Sequence, residues 1–314
     1  MAAEVIAGQY FLPLVYAASK PGRGMTPMVN LRGYSQDEFE RQYNPRVAVP
    51  DHQAKIDSRA AASAAARSRL KGVHDVRYGP GPKETLDIFR PAGRDRAPVH
   101  IYFHGGYWRA QDKADVTFMA EPLVAAGALV VIANYDLCPD VRVGDIVLEA
   151  VRAIAWTYLN IGQYGGDPDR IYISGNSAGG HLCAMALAQD WTADDLPADV
   201  VKGAVLLTGV YDPEPVLGIS VNDLIRLTPD QVDDVSPMKN PPLRPLPLAI
   251  LVGADETEEW IKQSRDYSAL CRERGIAHDY QEMPGEDHFT MTAVLGEPEK
   301  PAVKAILAQM GLGG

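Results

Sequence analysis

The sequence predicts an α/β protein: a mostly parallel central sheet with helices on both faces. Three observations carry this expectation. From Val73 onward, short β-rich runs alternate with helical ones, which is the pattern of βαβ units. Five of those runs, at 99–103, 128–133, 171–174, 204–207 and 248–252, are brief and mainly apolar rather than alternating, as strands covered on both faces are. The chain has 314 residues, 46% hydrophobic and 23% charged, so it can bury a sizeable core and is not disordered as a whole.

The remaining elements follow in chain order. Residues 26–70 read as an irregular lead followed by an Ala-rich helix at 58–70, where good helix formers run without a breaker. Residues 1–70 are therefore expected to be an appendage or cap on a catalytic domain at 71–314. Apolar residues at helical spacing predict a helix over 147–164, with Gly165-Gly166-Asp167-Pro168 as its stop signal. The stretch 212–247 is rich in Pro and polar residues and interrupts the strand–helix alternation, so a lid-like insertion is expected there. A last strand is expected at 278–283.

Charge and cysteine usage narrow the partners. A formal net charge of -11 opposes binding to phosphate backbones, so the expected partner is a small molecule and not nucleic acid. Cys138, Cys183 and Cys271 are widely spaced and form neither a disulfide framework nor a metal-ligand pattern, which suits a reducing cytoplasm. The apolar stretch 5–19 raises the question of a signal peptide, but Glu4 precedes it and no Lys or Arg does. No uninterrupted apolar run reaches the roughly 18 residues of a membrane span. A homodimer is compatible with the sequence but not fixed by it.

Gly175-Asn176-Ser177-Ala178-Gly179 fits G-x-S-x-G, with a predicted strand before it and a predicted helix at 180–188 after it. That context makes Ser177 the candidate nucleophile of an α/β-hydrolase fold. A serine on so sharp a turn needs small neighbours, and glycines stand at both flanks. The following helix points its positive end at the serine, and the Ala178 N–H is the donor expected to meet an oxyanion. A second set of donors is expected from His104-Gly105-Gly106-Tyr107-Trp108, directly after strand 99–103 at the sheet edge where ligands bind. There the backbone N–H groups of Gly105, Gly106 or Tyr107 can converge on one point. His104 reads as a buried residue orienting that turn, while Tyr107 and Trp108 are candidates to line a pocket for planar substrates, as is Asn176 beside the serine.

Triad partners in this fold follow in the order serine, acid, histidine. His288 lies in a short loop after the last expected strand and is the only histidine beyond it, which makes it the candidate base. The acid should follow strand 248–252, where Asp255, Glu256, Glu258 and Glu259 crowd together. Either Asp255 or Glu256 can serve on this reading, with the other carboxylates in a solvated first helical turn.

These residues resemble the arylformamidase (kynurenine formamidase) group of α/β-hydrolases, which is related to the hormone-sensitive-lipase-like esterases. The H-G-G-x-W loop at 104–108 carries the resemblance, with Tyr107 where the esterases more often have a further Gly. Gln42-Tyr43-Asn44-Pro45-Arg46, Tyr78-Gly79, Leu86-Asp87-Ile88 and Gln263-Ser264 add to it. The family's acid stands seven residues before the Gln-Ser pair, so the resemblance selects Glu256. Asn176 departs from the His that often precedes the serine. The resemblance implies hydrolysis of N-formylkynurenine to kynurenine and formate with no metal or organic cofactor. Two other readings stand beside it: a carboxylesterase for small aromatic or short-chain esters, and, from another class, a non-catalytic small-molecule-binding protein on the same fold.

Overall fold

The computed structural model describes residues 32–313, so the stretch 5–19 and the first part of the lead lie outside the described residues. Eight strands form one sheet: β1 (Gly72–Arg77), β2 (Thr85–Phe89), β3 (Ala97–Phe103), β4 (Leu129–Ala133), β5 (Gly166–Asn176), β6 (Val201–Leu207), β7 (Leu248–Gly253) and β8 (Asp279–Met283). Their spatial order is β1-β2-β4-β3-β5-β6-β7-β8. β1 and β2 pair antiparallel, as do β2 and β4, and every other pairing is parallel. The five expected inner strands are β3 to β7, and the last is β8. β1 and β2 were not singled out in the sequence: β1 is almost wholly exposed and lacks the apolar run of an inner strand, and β2, though buried, has Asp87 in the middle of its short run.

Ten helices accompany the sheet among the described residues: α1 (Gln36–Tyr43), α2 (Pro45–Ala48), α3 (His52–Arg69), α4 (Ala120–Ala125), α5 (Val143–Asn160), α6 (Ala178–Leu187), α7 (Asn222–Ile225), α8 (Glu258–Glu273), α9 (Thr290–Ala293) and α10 (Pro301–Gln309). Successive residues of a strand face opposite sides, and the core divides accordingly. Ile101, Phe103, Val131, Leu206 and Ile250 pack with residues of α5, α6 and α8, whereas Tyr102, Val130, Ile132, Val205 and Leu251 pack with residues of α3, α4, α9 and α10. Both faces are covered, which is why these strands read as continuous apolar runs.

Helix ends depart from expectation where polar side chains extend them. α5 begins at Val143, ahead of 147, because the Asp145 carboxylate accepts from the Arg142 N–H at 2.9 Å. It ends on a 3₁₀ turn, Ile161–Tyr164, that closes at Gly165 with φ +84°, a conformation glycine adopts without strain. Gly166 to Pro168, expected as part of the stop, already belong to β5. α3 starts at His52 rather than 58, and i,i+4 contacts of Gln53 with Asp57 and of Lys55 with Asp51, each 2.8 Å, support the added turn.

The lead is not irregular throughout. Ser35 caps α1 by accepting from the Glu38 N–H, and Asn44 caps α2 ahead of Pro45 at its first position. Phe39 and Tyr43 of α1 are buried in the same core as β3 and α8. Between β6 and β7, residues 212–247 form short single-turn pieces including α7. Among the described residues no helix is long and apolar enough to cross a membrane, and the three cysteines are buried and unpaired.

Candidate active site

β5 ends at Asn176, and α6 starts at Ala178, two residues before its expected start, so Ser177 alone makes the turn. Its φ of +55° and ψ of -120° lie in a region that non-glycine residues avoid at a cost of about 1–3 kcal/mol. The surroundings enforce the turn. A Cβ on Gly175 would stand 2.3 Å from the Gly179 carbonyl, and one on Gly179 would stand 1.9 Å from Phe103 O, so strand, turn and helix touch through bare backbone. The Ser177 N–H donates to Leu207 O at 2.9 Å, which pins the turn to the end of β6.

His288 reaches this turn from the loop after β8. Asp287 organises that loop by accepting from the N–H groups of Phe289 and Thr290, both at 2.9 Å, while Lys55 of α3 donates to its other oxygen at 2.6 Å. These donors hold the Asp287 carboxyl below its ordinary range although burial pushes it the other way. The imidazole stands edge-on to Trp260, with ring centres 4.5 Å apart. The Ser177 hydroxyl donates to His288 Nε2 at 3.0 Å, and His288 Nδ1–H donates to Glu256 Oε2 at 2.7 Å. That second bond fixes the tautomer that leaves Nε2 as an acceptor.

Of the four crowded carboxylates, the structure brings Glu256 to His288 and leaves Asp255 exposed. The Glu256 carboxylate is 1% exposed and also accepts from the Gly253 N–H at 3.1 Å and from the Thr208 hydroxyl. Glu259, expected in a solvated turn, is instead buried, since the hydroxyls of Tyr43 and Tyr34 donate to it at 2.6 and 3.1 Å. Glu258 is exposed as expected.

The loop after β3 lies against the serine: a Cβ on Gly105 would stand 3.2 Å from Ser177 Cβ. Gly106 takes φ +108°, and a Cβ there would meet Ala110 O at 2.2 Å. His104 is fully buried, stacked on Tyr135 with ring centres 4.2 Å apart, and its nitrogens contact Gly105 O and Asn134 Oδ1 at 2.8 and 3.0 Å. Burial pushes its pKa down. It orients the loop and stays away from the pocket.

Tyr107 lines the pocket, and its hydroxyl donates to Tyr43 O at 2.5 Å. Trp108 does not. It is fully buried under α6, where its Nε1–H donates to His181 Nδ1 at 3.1 Å. The chain turns sharply here, with φ +51° at Tyr107 and +55° at Trp108, and the two rings meet edge-on with centres 5.7 Å apart, Tyr107 on the pocket side and Trp108 behind it. Asn176 lines the pocket but is held on both sides, accepting from the Tyr102 hydroxyl and donating to Thr292 Oγ1, each at 2.7 Å. The pocket holds about 490 Å³ of space, part of it open to solvent.

A further part of the pocket wall is formed by residues that the sequence reading did not assign to a site: Arg59 of α3, and Arg109 and Gln111 beyond the glycine loop. A lone arginine has no spacing signature, and only tertiary structure shows where it points. Asn44 and Arg46, noted above only as part of a resemblance, stand at the same wall.

With this geometry in view, the relatives are informative. Residues 100–292 match the family described as the alpha/beta hydrolase fold. Kynurenine formamidase of Danio rerio is 31% identical over 90% of this chain and 99% of its own length. The chain belongs to the α/β-hydrolases, among the relatives of kynurenine formamidase. This hydrolase also resembles esterases: LipQ of Mycobacterium tuberculosis is 33% identical over 70% of this chain and 58% of that protein. A crystal structure of a provisionally named thioesterase from Silicibacter sp. TM1040 superposes on it with a TM-score of 0.73 and 25% identity, over 86% of this chain and 98% of that one. In the hydrolase, residues that carried the resemblance tie separate elements together. Gln42 accepts at its backbone from Thr257 Oγ1 and at its side chain from the Glu259 N–H, at 2.6 and 3.2 Å, and Gln263 accepts from the Tyr211 N–H at 2.9 Å. Asp87 is a fully buried carboxylate that engages Arg67 of α3.

Proposed function

We propose that this hydrolase cleaves the formyl amide of an aromatic amine, such as N-formylkynurenine, through a formyl-enzyme on Ser177. The observation that carries the reading is the unbroken line Ser177 Oγ, His288 Nε2, His288 Nδ1, Glu256 Oε2, with contacts of 3.0 and 2.7 Å at its two gaps. In this mechanism Ser177 attacks the formyl carbon while His288 Nε2 takes the hydroxyl proton, and Glu256 stabilises the imidazolium. The carbonyl oxygen becomes an oxyanion and receives backbone N–H groups of Ala178 and of Gly105, Gly106 or Tyr107. His288 then returns the proton to the nitrogen, the C–N bond breaks and the amine leaves. Water, deprotonated by the same nitrogen, attacks the formyl ester; the bond from Ser177 Oγ to the formyl carbon breaks, His288 returns the proton to Ser177 Oγ, and formate departs. Serine, imidazole and water supply every electron pair and proton, so no step calls for a cofactor.

The N-terminal residues 32–70 act as the cap of this pocket in the same reading, and the insertion at 212–247 contributes Val221 to its rim as a small lid. A second reading, a carboxylesterase for small aromatic or short-chain esters, is supported by the likeness to LipQ and uses the same residues. Formate release from an aryl formamide, measured beside hydrolysis of the matching aryl acetate, decides between them. Cleavage of the acetate with no formate from the formamide overturns the first reading.

A further inference from the structure

The chain carries a net charge of -11, yet none of the residues lining its pocket is acidic and three are arginines. Arg59 is buried, Arg109 half-buried and Arg46 exposed, and none of the three has an ion-pair partner within 4 Å among the described residues, whereas buried Lys113 is paired with Asp75 and Asp87. Arg59 is 93% buried by its 7% exposure, and its one side-chain bond is a long one, 3.4 Å to Phe289 O. The Nε atoms of Arg59 and Arg109 are buried without a hydrogen-bond partner, as is the Gln111 carbonyl oxygen.

A guanidinium carries five donors and does not shed its charge in a protein. Burying one with so few bonds is costly unless something else completes it. Burial pushes the pKa of both Arg59 and Arg109 down, and the like charge of Arg46 pushes Arg109 further. Glu256 cannot serve as the counter-charge, because His288, Thr208 and the Gly253 N–H already engage it. Among the described residues no carboxylate completes either guanidinium, which leaves both to meet a charge that a substrate can bring.

We infer that Arg59 and Arg109, with Arg46 at the rim, form a carboxylate subsite that selects substrates bearing a carboxylate on the group that leaves. The leaving side is indicated because Arg59 bonds the carbonyl of Phe289, next to the imidazole that must protonate the leaving atom. A formyl group, moreover, has no substituent that could carry a charge. This rests on the proposed reaction at Ser177 and deepens it: the arginines hold the far end of the substrate while the chemistry proceeds at the near end. Arginine suits the task, since its planar fork matches a carboxylate in two parallel bonds.

The test uses the full chain and two matched pairs: aryl acetates, and the corresponding formanilides, whose ring side chain ends in a carboxylate or in the isosteric carboxamide. Wild type is expected to prefer the carboxylate member by roughly 10- to 100-fold in kcat/KM. Arg109→Met and Arg59→Met should each cut that preference by at least about tenfold, and Arg109→Lys should restore part of it. A purely structural role would lower both members of a pair alike and leave the ratio intact. No preference in wild type, or a preference that survives both methionine variants, overturns the inference. If Arg59→Met fails to fold, Arg109→Met decides alone. If only acetates are cleaved, the formamidase reading fails, and the ratio within the acetate pair still decides the subsite.

Discussion

The two walls of the pocket are built in different ways. On one side Asn176, Ser177 and His288 stand at strand ends or in the loops that follow, and backbone geometry places them: a turn squeezed until no Cβ fits, and a loop tied by its own Asp287. In the second wall Asn44, Arg46 and Arg59 come from helices ahead of the sheet, and side chains place them, Arg59 reaching as far as the Phe289 carbonyl beside His288. The first wall has a fixed spacing in sequence and the second has none. Chemistry demands sub-ångström placement of short side chains, which the edge of a rigid sheet supplies. Holding the remote part of a substrate tolerates longer reach, so its residues leave no motif.

Breaking the sheet wall should cost most. Ser177→Ala is expected to lower turnover by about 10⁴-fold or more with the melting temperature and circular dichroism unchanged, because it removes the attacking oxygen and fits the same turn. Near-wild-type turnover in that variant would end the proposed mechanism. The acid comes next. Glu256→Gln should lower turnover by at least roughly 10²-fold by freeing the wrong imidazole tautomer, and Asp255→Asn by less than about tenfold. Equal small losses would mean that neither carboxylate supports His288.

The helical wall should respond through stability before rate. Tyr43→Phe removes the hydroxyl that donates to buried Glu259 at 2.6 Å, so unfolding in urea should be easier by about 1–3 kcal/mol with a smaller change in turnover. A turnover loss as large as that of Glu256→Gln would show that the two walls are not separable in this way.

A control outside both walls sharpens the contrast. Glu149 of α5 is buried, and burial pushes its carboxyl up to about 8 against an ordinary value near 4.5. The folded chain then holds a proton that the unfolded chain releases, so this group's contribution favours folding at low pH and declines as pH rises from about 4.5 to 8. Glu149→Gln should flatten that part of the stability–pH curve, measured by urea unfolding, and leave kcat/KM close to wild type. An unchanged slope would count against the buried, protonated carboxyl.

What could be read from the sequence follows the same division. The inner strands were legible because both faces are buried, and Ser177 because its flanking glycines have no alternative. Asp255 and Glu256 were not separable by residue reasoning, since adjacent carboxylates differ only in where the backbone aims them; one is exposed and the other 1% exposed against His288. Trp108 does not line the pocket although it is adjacent to Tyr107: the two rings touch edge-on, but Trp108 lies fully buried behind Tyr107 against His181. Arg59 and Arg109 were invisible, as unremarkable cations on a helix and in a loop.

The bonds joining Gln42 and Tyr43 to Thr257 and Glu259 also fasten α1 to the segment that follows Glu256. They run between α1 and the stretch beside Glu256, so α1 cannot move away without loosening the segment that holds Glu256 against His288. The two segments are therefore expected to unfold locally as one cooperative unit. Amide hydrogen exchange should show the protection of α1 and of the first turn of α8 rising and falling together, and a chain cut before Gly72 should lose the slow-exchanging amides of both.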